Sequence, residues 1–431
     1  MSIKYIKCLF KVFLFAILEI TLVKSANLIQ LQSDVPEAVN NSANNNLIYH
    51  NLFEDLLGID PSKIEKKIET AWETLFYGNN ETERIYYPVE PDMAYIEDIN
   101  NNDIRTEGMS YGMMVAVQLN KKNEFDRLWK WAKTVMQHKT ERRKYYFAWH
   151  VTPDGEILDS NSASDGEEWF VTSLFFASVR WGDGEGIYNY RKEAQLILDA
   201  MLDKVEKSDD PKDITNMFNK EEKQIVFVPA GEADDFTDPS YHLPHFYEIW
   251  AKMADKNNNF WRKAAETSRQ FLKKSVNPVT GLSPDYASFE GKPVDPWGGG
   301  NNNFGFDAFR VASNVAVDYE WFGRDEWAIE QSNRLLNFFY SQGMNEYGCQ
   351  YTLDGRKLNP EKTAALVSMN ATAALAATIP QRKNFVQDLW DINIPAGKYR
   401  YYDGILYMLA ILQVSGNFRI YLPESFNVNQ N

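Results

Sequence analysis

The chain has 431 residues and carries 60 Asp and Glu against 45 Lys and Arg, for a formal net charge of −15. With 44% hydrophobic and 24% charged residues it can bury a large core, which excludes a disordered or collagen-like chain. The acidic balance argues against a nucleic-acid partner, because phosphate contacts need clustered Lys and Arg.

Lys4, Lys7 and Lys11 lead into an apolar run from Cys8 to Val23, closed by Val23-Lys24-Ser25, the pattern of a secretion signal over residues 1–25. Its apolar core, Val12 to Leu18, is too short to span a bilayer, and Glu19 interrupts it. A secreted or periplasmic protein with no membrane partner after signal removal is the expectation. Loss of Cys8 with the signal leaves Cys349 alone, so no intrachain disulfide can form. Residues 26–46 are polar and Asn-rich and read as a tether. No comparable linker follows, so residues 47–431 read as a single domain, expected to be monomeric.

Beyond the tether, helical spacing recurs and strand-like alternation is rare. Twelve helices are expected: Lys66–Tyr77, Ser110–Asn120, Phe125–His138, Glu168–Trp181, Tyr190–Val205, Tyr241–Ala254, Asn259–Val276, Asp307–Phe322, Asp325–Gly343, Thr363–Ala377, Arg382–Asp391 and Gly404–Gly416. Those beginning near 110, 168, 363 and 404 are apolar almost all round and must be buried on every side. Those beginning near 125, 190, 259 and 325 carry charge on one face, as outer helices do. Six inner helices ringed by six outer ones make an all-α (α/α)6 toroid; an irregular bundle or a solenoid would use the same pattern.

In such a toroid the segments entering the inner helices open at one end. They are Arg105-Thr106-Glu107-Gly108, Ala163-Ser164-Asp165-Gly166-Glu167, Thr237-Asp238-Pro239-Ser240-Tyr241, Asn301 to Asp307, and Tyr401-Tyr402-Asp403. Each delivers an acid or a phenol to the same rim, which makes that rim the candidate site. Taken singly, Asp165, Asp238, Asp307 and Asp403 read as helix caps and Glu107 as part of a capping box. Capping does not account for the Gly-, Asn- and aromatic-rich company, such as Asp295-Pro296-Trp297-Gly298-Gly299-Gly300. The 14% aromatic content fits either sugar stacking or a large core.

Other chemistries find little support. His242 and His245 are three apart, but no further Cys or His pair completes a zinc site, and they read as structural. There is no serine-hydrolase elbow, P-loop or dinucleotide fingerprint. Paired carboxylates in an aromatic groove remain, a combination that fits glycoside hydrolysis.

Long stretches then make the chain recognisable. From about Ile64 to Tyr421 it resembles glycoside hydrolase family 8, and within it the xylan-active members. The resemblance is carried by Glu107-Gly108-Met109-Ser110-Tyr111-Gly112, Asp165-Gly166-Glu167-Glu168, Asp238-Pro239-Ser240-Tyr241, Asp307-Ala308-Phe309-Arg310 and Tyr401-Tyr402-Asp403-Gly404. It implies an (α/α)6 barrel and an inverting mechanism without metal or organic cofactor. By the same resemblance Glu107 is the general acid, Asp307 the general base, Asp165 the residue that holds the sugar at the cleavage point, and Tyr241 the one that positions the attacking water. Trp149, Phe306, Arg310, Tyr401 and Tyr402 match groove positions.

Helix N-termini stabilise carboxylates, whereas a general acid must keep its proton, so Asp165 is expected close to Glu107 to oppose its ionisation. The implied substrate is a β-1,4-xylosidic bond in xylan or xylo-oligosaccharides. β-1,4-Glucan is a further alternative, and an inactive carbohydrate-binding toroid is the alternative of a different class. Family members that release xylose from the reducing end carry a His-rich loop across the groove. Here the matching segment, Asp354 to Pro360, keeps Leu358 and Pro360 but has Lys357 and Asn359 in place of histidines, and it is short. Endo-cleavage is therefore the expectation, with reducing-end release as its alternative.

Overall fold

A computed structural model describes residues 49–424 apart from 141, 206–212 and 232; the expected signal and tether lie outside these residues. Among the described residues twelve helices have ten residues or more. They are α1 (Pro61–Tyr77), α2 (Thr106–Gln118), α3 (Lys122–Trp131), α4 (Ser164–Trp181), α5 (Tyr190–Leu202), α6 (Pro244–Met253), α7 (Asn258–Ser275), α8 (Phe309–Phe322), α9 (Trp327–Ser341), α10 (Ala364–Ala373), α11 (Arg382–Asp391) and α12 (Arg400–Val414).

The two kinds of helix separate as their sequences require. In α1, Ile64, Ile68, Ala71, Trp72, Leu75 and Phe76 form one buried stripe, and Asp60 caps the start by accepting from the Ser62 amide ahead of Pro61. In α2 every residue except Glu107 is buried. The even-numbered helices touch in sequence, α2 to α4, α4 to α6, α6 to α8, α8 to α10 and α10 to α12, and α12 returns to α2. Each packs on the odd-numbered helix that follows it, and α12 packs on α1.

Some charged groups inside this core are paired. Arg269 of α7 donates to both oxygens of Asp318 on α8 (2.8 and 2.7 Å) and to Glu248 on α6 (2.8 Å), joining three helices by charge-assisted bonds. His242 and His245 are buried, and burial pushes both down to about 3, so they are neutral. His242 sits between the hydroxyls of Ser268 (2.9 Å) and Thr237 (3.1 Å), in the structural role expected of it. Much of the aromatic excess is core: Trp72, Trp129, Trp250, Trp261 and Trp321 are among the largest fully buried side chains.

Short strands, of two to four residues, were not expected. Ile104–Arg105, His150–Val151 and Ile157–Asp159 form a three-stranded antiparallel sheet that feeds directly into α2. Phe236–Thr237 pairs with Ala287–Ser288, and Gln350–Tyr351 with Lys357–Asn359. Such strands are too short to show alternation in sequence. They brace the segments that enter the inner helices, where the candidate residues lie.

Candidate active site

Helices α2 and α4 begin earlier than expected, so Glu107 and Asp165 stand in their first turns and not on the preceding loops. Tyr401, Tyr402 and Asp403 likewise fall inside the first turn of α12. The glycines that read as breakers are packing positions: a Cβ on Gly108 would lie 2.5 Å from the Tyr401 ring, and one on Gly166 2.5 Å from the Thr106 side chain. Asp307 remains on the loop before α8, and Tyr241 closes a single 3-10 turn over Pro239–Tyr241.

One guanidinium gathers the acids. Arg310, with a side chain 6% exposed, donates from Nη1 to Glu107 Oε2 (2.8 Å), the Tyr111 hydroxyl (2.9 Å) and Asp165 Oδ2 (3.2 Å). From Nη2 it reaches Asp307 Oδ1 at 2.9 Å and faces Asp238 Oδ2 at 3.7 Å. The rigid fork thereby holds the nearest oxygens of Glu107 and Asp307 no more than about 8 Å apart, a bound that admits the separation of an inverting pair. Tyr401 donates to Glu107 Oε1 at 3.0 Å, and Tyr402 donates to the Phe306 carbonyl at 2.6 Å.

Two cavities meet at this pair. One, of about 510 Å³, is lined by Trp149, Asp165, Phe227, Tyr241, Tyr286, Trp297 and Arg310. The other, of about 400 Å³, is lined by Phe306, Glu361, Thr363, Tyr399, Tyr401 and Tyr402. Both contain Arg105, Glu107 and Asp307. All nine residues singled out from the sequence therefore line one or both cavities. Phe227 stacks on Tyr241 (5.7 Å between centroids) and meets Tyr286 and Trp297, so the larger cavity has an aromatic wall; Trp297 is 61% exposed, a face open to a sugar.

The caps expected from the sequence are realised at Asp238, which accepts from the Ser240 amide at 2.6 Å. They are absent at Asp165 and Asp307, where Ala163 and Ala308 occupy the cap positions. Asp403 accepts from the Ala365 amide at 2.9 Å and so serves α10, the neighbouring helix. Glu107 forms no capping box; its carboxylate faces Arg310 and Tyr401.

Enclosure is the main reason Glu107 is raised above the usual carboxylate range, opposed by Arg310 and reinforced by the negative Asp307. Asp307 is the acidic neighbour that most opposes its ionisation, and Asp165, on the same Arg310 nitrogen, lies close to Glu107 as expected. Burial pushes Asp165 up to about 7 against the pull of Arg310, with Glu107 adding to the rise. Asp238 is raised by burial and then by Asp307. Asp285 is pushed up to about 8 by the same two causes. Asp238 and Asp285 were not among the candidates: the first reads as a cap, and the second sits in no motif. Arg310 was, but its position at the centre of four carboxylates is invisible in sequence.

These raised carboxyls have a stability consequence. A group whose folded pKa exceeds its unfolded value stabilises fully below the unfolded value, about 4 for Asp, and loses that contribution as pH rises through the folded value. The lowered histidines act oppositely, but only below about pH 6.5. The thermal midpoint is therefore expected to fall between about pH 6.5 and 8, and less steeply in Asp165→Asn. Scanning fluorimetry checks this; a midpoint that rises over the window would mean that the folded state does not hold these protons.

The model for glycosyl hydrolases family 8 matches residues 92–416. The chain is 46% identical over 378 residues to a reducing-end xylose-releasing exo-oligoxylanase of Paenibacillus barcinonensis, covering 86% of this chain and 97% of that protein. It is 42% identical over 381 residues to a reducing-end xylose-releasing exo-oligoxylanase of Halalkalibacterium halodurans, covering 87% and 95%. A solved xylobiose complex of a family 8 protein from Teredinibacter turnerae superposes with a TM-score of 0.84 at 44% identity, covering 87% of this chain and 98% of that one. With an acid pair held across a two-sided groove and a family match over most of its length, the chain belongs to glycoside hydrolase family 8 and is a glycosyl hydrolase.

Proposed function

We propose that this enzyme hydrolyses β-1,4-xylosidic bonds of xylo-oligosaccharides with inversion and releases xylose from their reducing ends. The observation that carries the proposal is the placing of Glu107 and Asp307 on one guanidinium, where two cavities meet. A bound chain crosses that junction with sugars on either side. Glu107 donates its proton to the glycosidic oxygen as the bond to C1 breaks. Asp307 takes a proton from the water that attacks C1 from the opposite face, and the product is the α-anomer. Asp165 binds hydroxyls of the sugar being cleaved, and Tyr241 orients the water. Trp149, Phe306, Tyr401 and Tyr402 pack against the sugars on either side. The closed cycle of inner helices, each with its outer partner, supports an (α/α)6 toroid. Polymeric xylan is met outside the cell, which is where residues 1–25 read as directing the chain.

Reducing-end release is preferred over the endo-cleavage expected from sequence because the two relatives named above, each aligned over 95% or more of its length, carry that activity in their names. Endo-cleavage stays as a second reading on a specific observation. In the segment that matches the wall of reducing-end enzymes, Lys357 donates to the Glu346 carbonyl, and Asn359 accepts from the Glu361 amide at 2.9 Å. Both side chains are occupied locally and neither lines the smaller cavity, which Tyr399, 54% exposed, does. A xylohexaose complex of a Teredinibacter turnerae xylanase, 44% identical, is also similar.

A time course on xylohexaose separates the two. Reducing-end release gives xylose and xylopentaose from the first points. Early xylotriose and xylobiose with little xylose would establish endo-cleavage instead. No turnover of xylohexaose alongside turnover of cello-oligosaccharides would overturn the substrate class itself.

A further inference from the structure

Asp285 lines neither cavity, yet its side chain is built around the base. Its Oδ1 accepts from the Ala308 amide at 3.0 Å, and its Oδ2 faces the Gly305 backbone. Gly305 and Ala308 lie on either side of Asp307. The strand-like contacts around them are equally close: the Asp285 amide donates to the Asn303 carbonyl (2.9 Å), and Phe304 exchanges both backbone bonds with Tyr351 (2.9 and 3.1 Å). Gly305 has no side chain because none fits; a Cβ there would lie 2.5 Å from Asp285 Oδ2.

We propose that Asp285 is a positioning residue for the hydrolysis: by holding the Ala308 amide and packing against Gly305 it fixes the short loop that presents Asp307 to the attacking water. The proposal rests on the reading of Asp307 as the base. An ordinary cap explains only part of what is seen. A cap at the start of α8 needs one acceptor, and Asn or Ser supplies it without a charge. A buried carboxylate, 9% exposed and close enough to Asp307 to be raised by it, is a costly cap. One oxygen holds the Ala308 amide and the other packs on Gly305, one on each flank of the base. Asn in that place offers one oxygen to Ala308 and sets its bulkier amide NH2 against Gly305.

The consequence is specific to the chemical step. A base that drifts by about 1 Å loses rate while the sugars still bind, since Asp285 touches neither cavity. Asp285→Asn is expected to lower kcat on xylohexaose by about 10–100-fold and to change KM by less than about threefold. The same loss is expected on β-xylobiosyl fluoride, whose leaving group needs no acid but whose water still needs a base. Gly305→Ala reads the same contact from the other side, because its methyl would crowd Asp285 Oδ2, and it serves if Asp285→Asn does not fold. Asp307→Ala with added azide, which replaces the water and needs no base, tests the underlying reading separately. With β-xylobiosyl fluoride, azide should restore turnover there as α-xylobiosyl azide, fluoride leaving, and should not restore Asp285→Asn, in which the Asp307 carboxylate still occupies the place the anion would enter. A kcat within about twofold of wild type in the folded Asp285 variant overturns the proposal. So does a loss confined to KM, or one that disappears on the fluoride. An active Asp307→Ala, by contrast, overturns the assignment of the base.

Discussion

Glu107→Gln is expected to lower the hydrolysis of xylo-oligosaccharides by about 10²–10⁴-fold, the usual worth of a positioned general acid. Gln has the same shape, still accepts from Arg310, and carries no proton to give to the glycosidic oxygen. Substrate binding should therefore survive, and xylohexaose should bind the variant with nearly unchanged affinity. The defect should shrink on β-xylobiosyl fluoride, where fluoride leaves without protonation. Enclosure and the charge of Asp307 keep Glu107 above the usual carboxylate range. The acid form is the active one, so activity of the wild type falls as pH rises through that value, and this alkaline limb should vanish from the fluoride assay. Initial rates with both substrates check the assignment. Activity on xylohexaose within tenfold of wild type would remove Glu107 from the mechanism.

Asp307→Asn should be at least as damaging, by about 10²–10⁴-fold, on xylohexaose and on the fluoride alike, because water then has no proton acceptor. Its loss has a second effect. The charge of Asp307 is among the causes that raise Glu107, Asp165, Asp238 and Asp285, so in its absence all four ionise more readily. The residual activity should accordingly fall off at lower pH than in the wild type. Proton NMR of the wild-type reaction should show α-product before mutarotation. A β-product appearing first would mean retention, and Asp307 could not then be a base acting on water in a single displacement.

Local periodicity and turn chemistry made the twelve helices legible in the sequence, with Arg382–Asp391 matching residue for residue. Burial on all sides is written into stretches such as Met113 to Val117, and one-sided burial into α1, because each helix must satisfy its own faces whatever its neighbours are. The helix starts were less legible where they matter most. Gly108 and Gly166 read as punctuation, yet they sit inside helices because Tyr401 and Thr106 press against them from elements distant in sequence. The short strands were missed for a related reason: two or three residues form a strand only when a partner is brought alongside.

For the site, motifs sufficed to name Glu107, Asp165, Tyr241 and Asp307, and the tertiary structure decided what each of them touches. Arg310 stands three residues after Asp307, a pairing any helix start allows, but it reaches Glu107 and Asp165 across 203 and 145 residues of chain. Only the return of α12 to α2 and the packing of α2 on α4 set those first turns around one guanidinium. The raised proton affinities follow from the same closure, since burial is their largest cause and burial belongs to the assembled ring, not to any one segment. The sequence by itself therefore named the residues proposed as acid and base. Their separation, and the protons they hold, arose only when distant helix ends converged and shut out water.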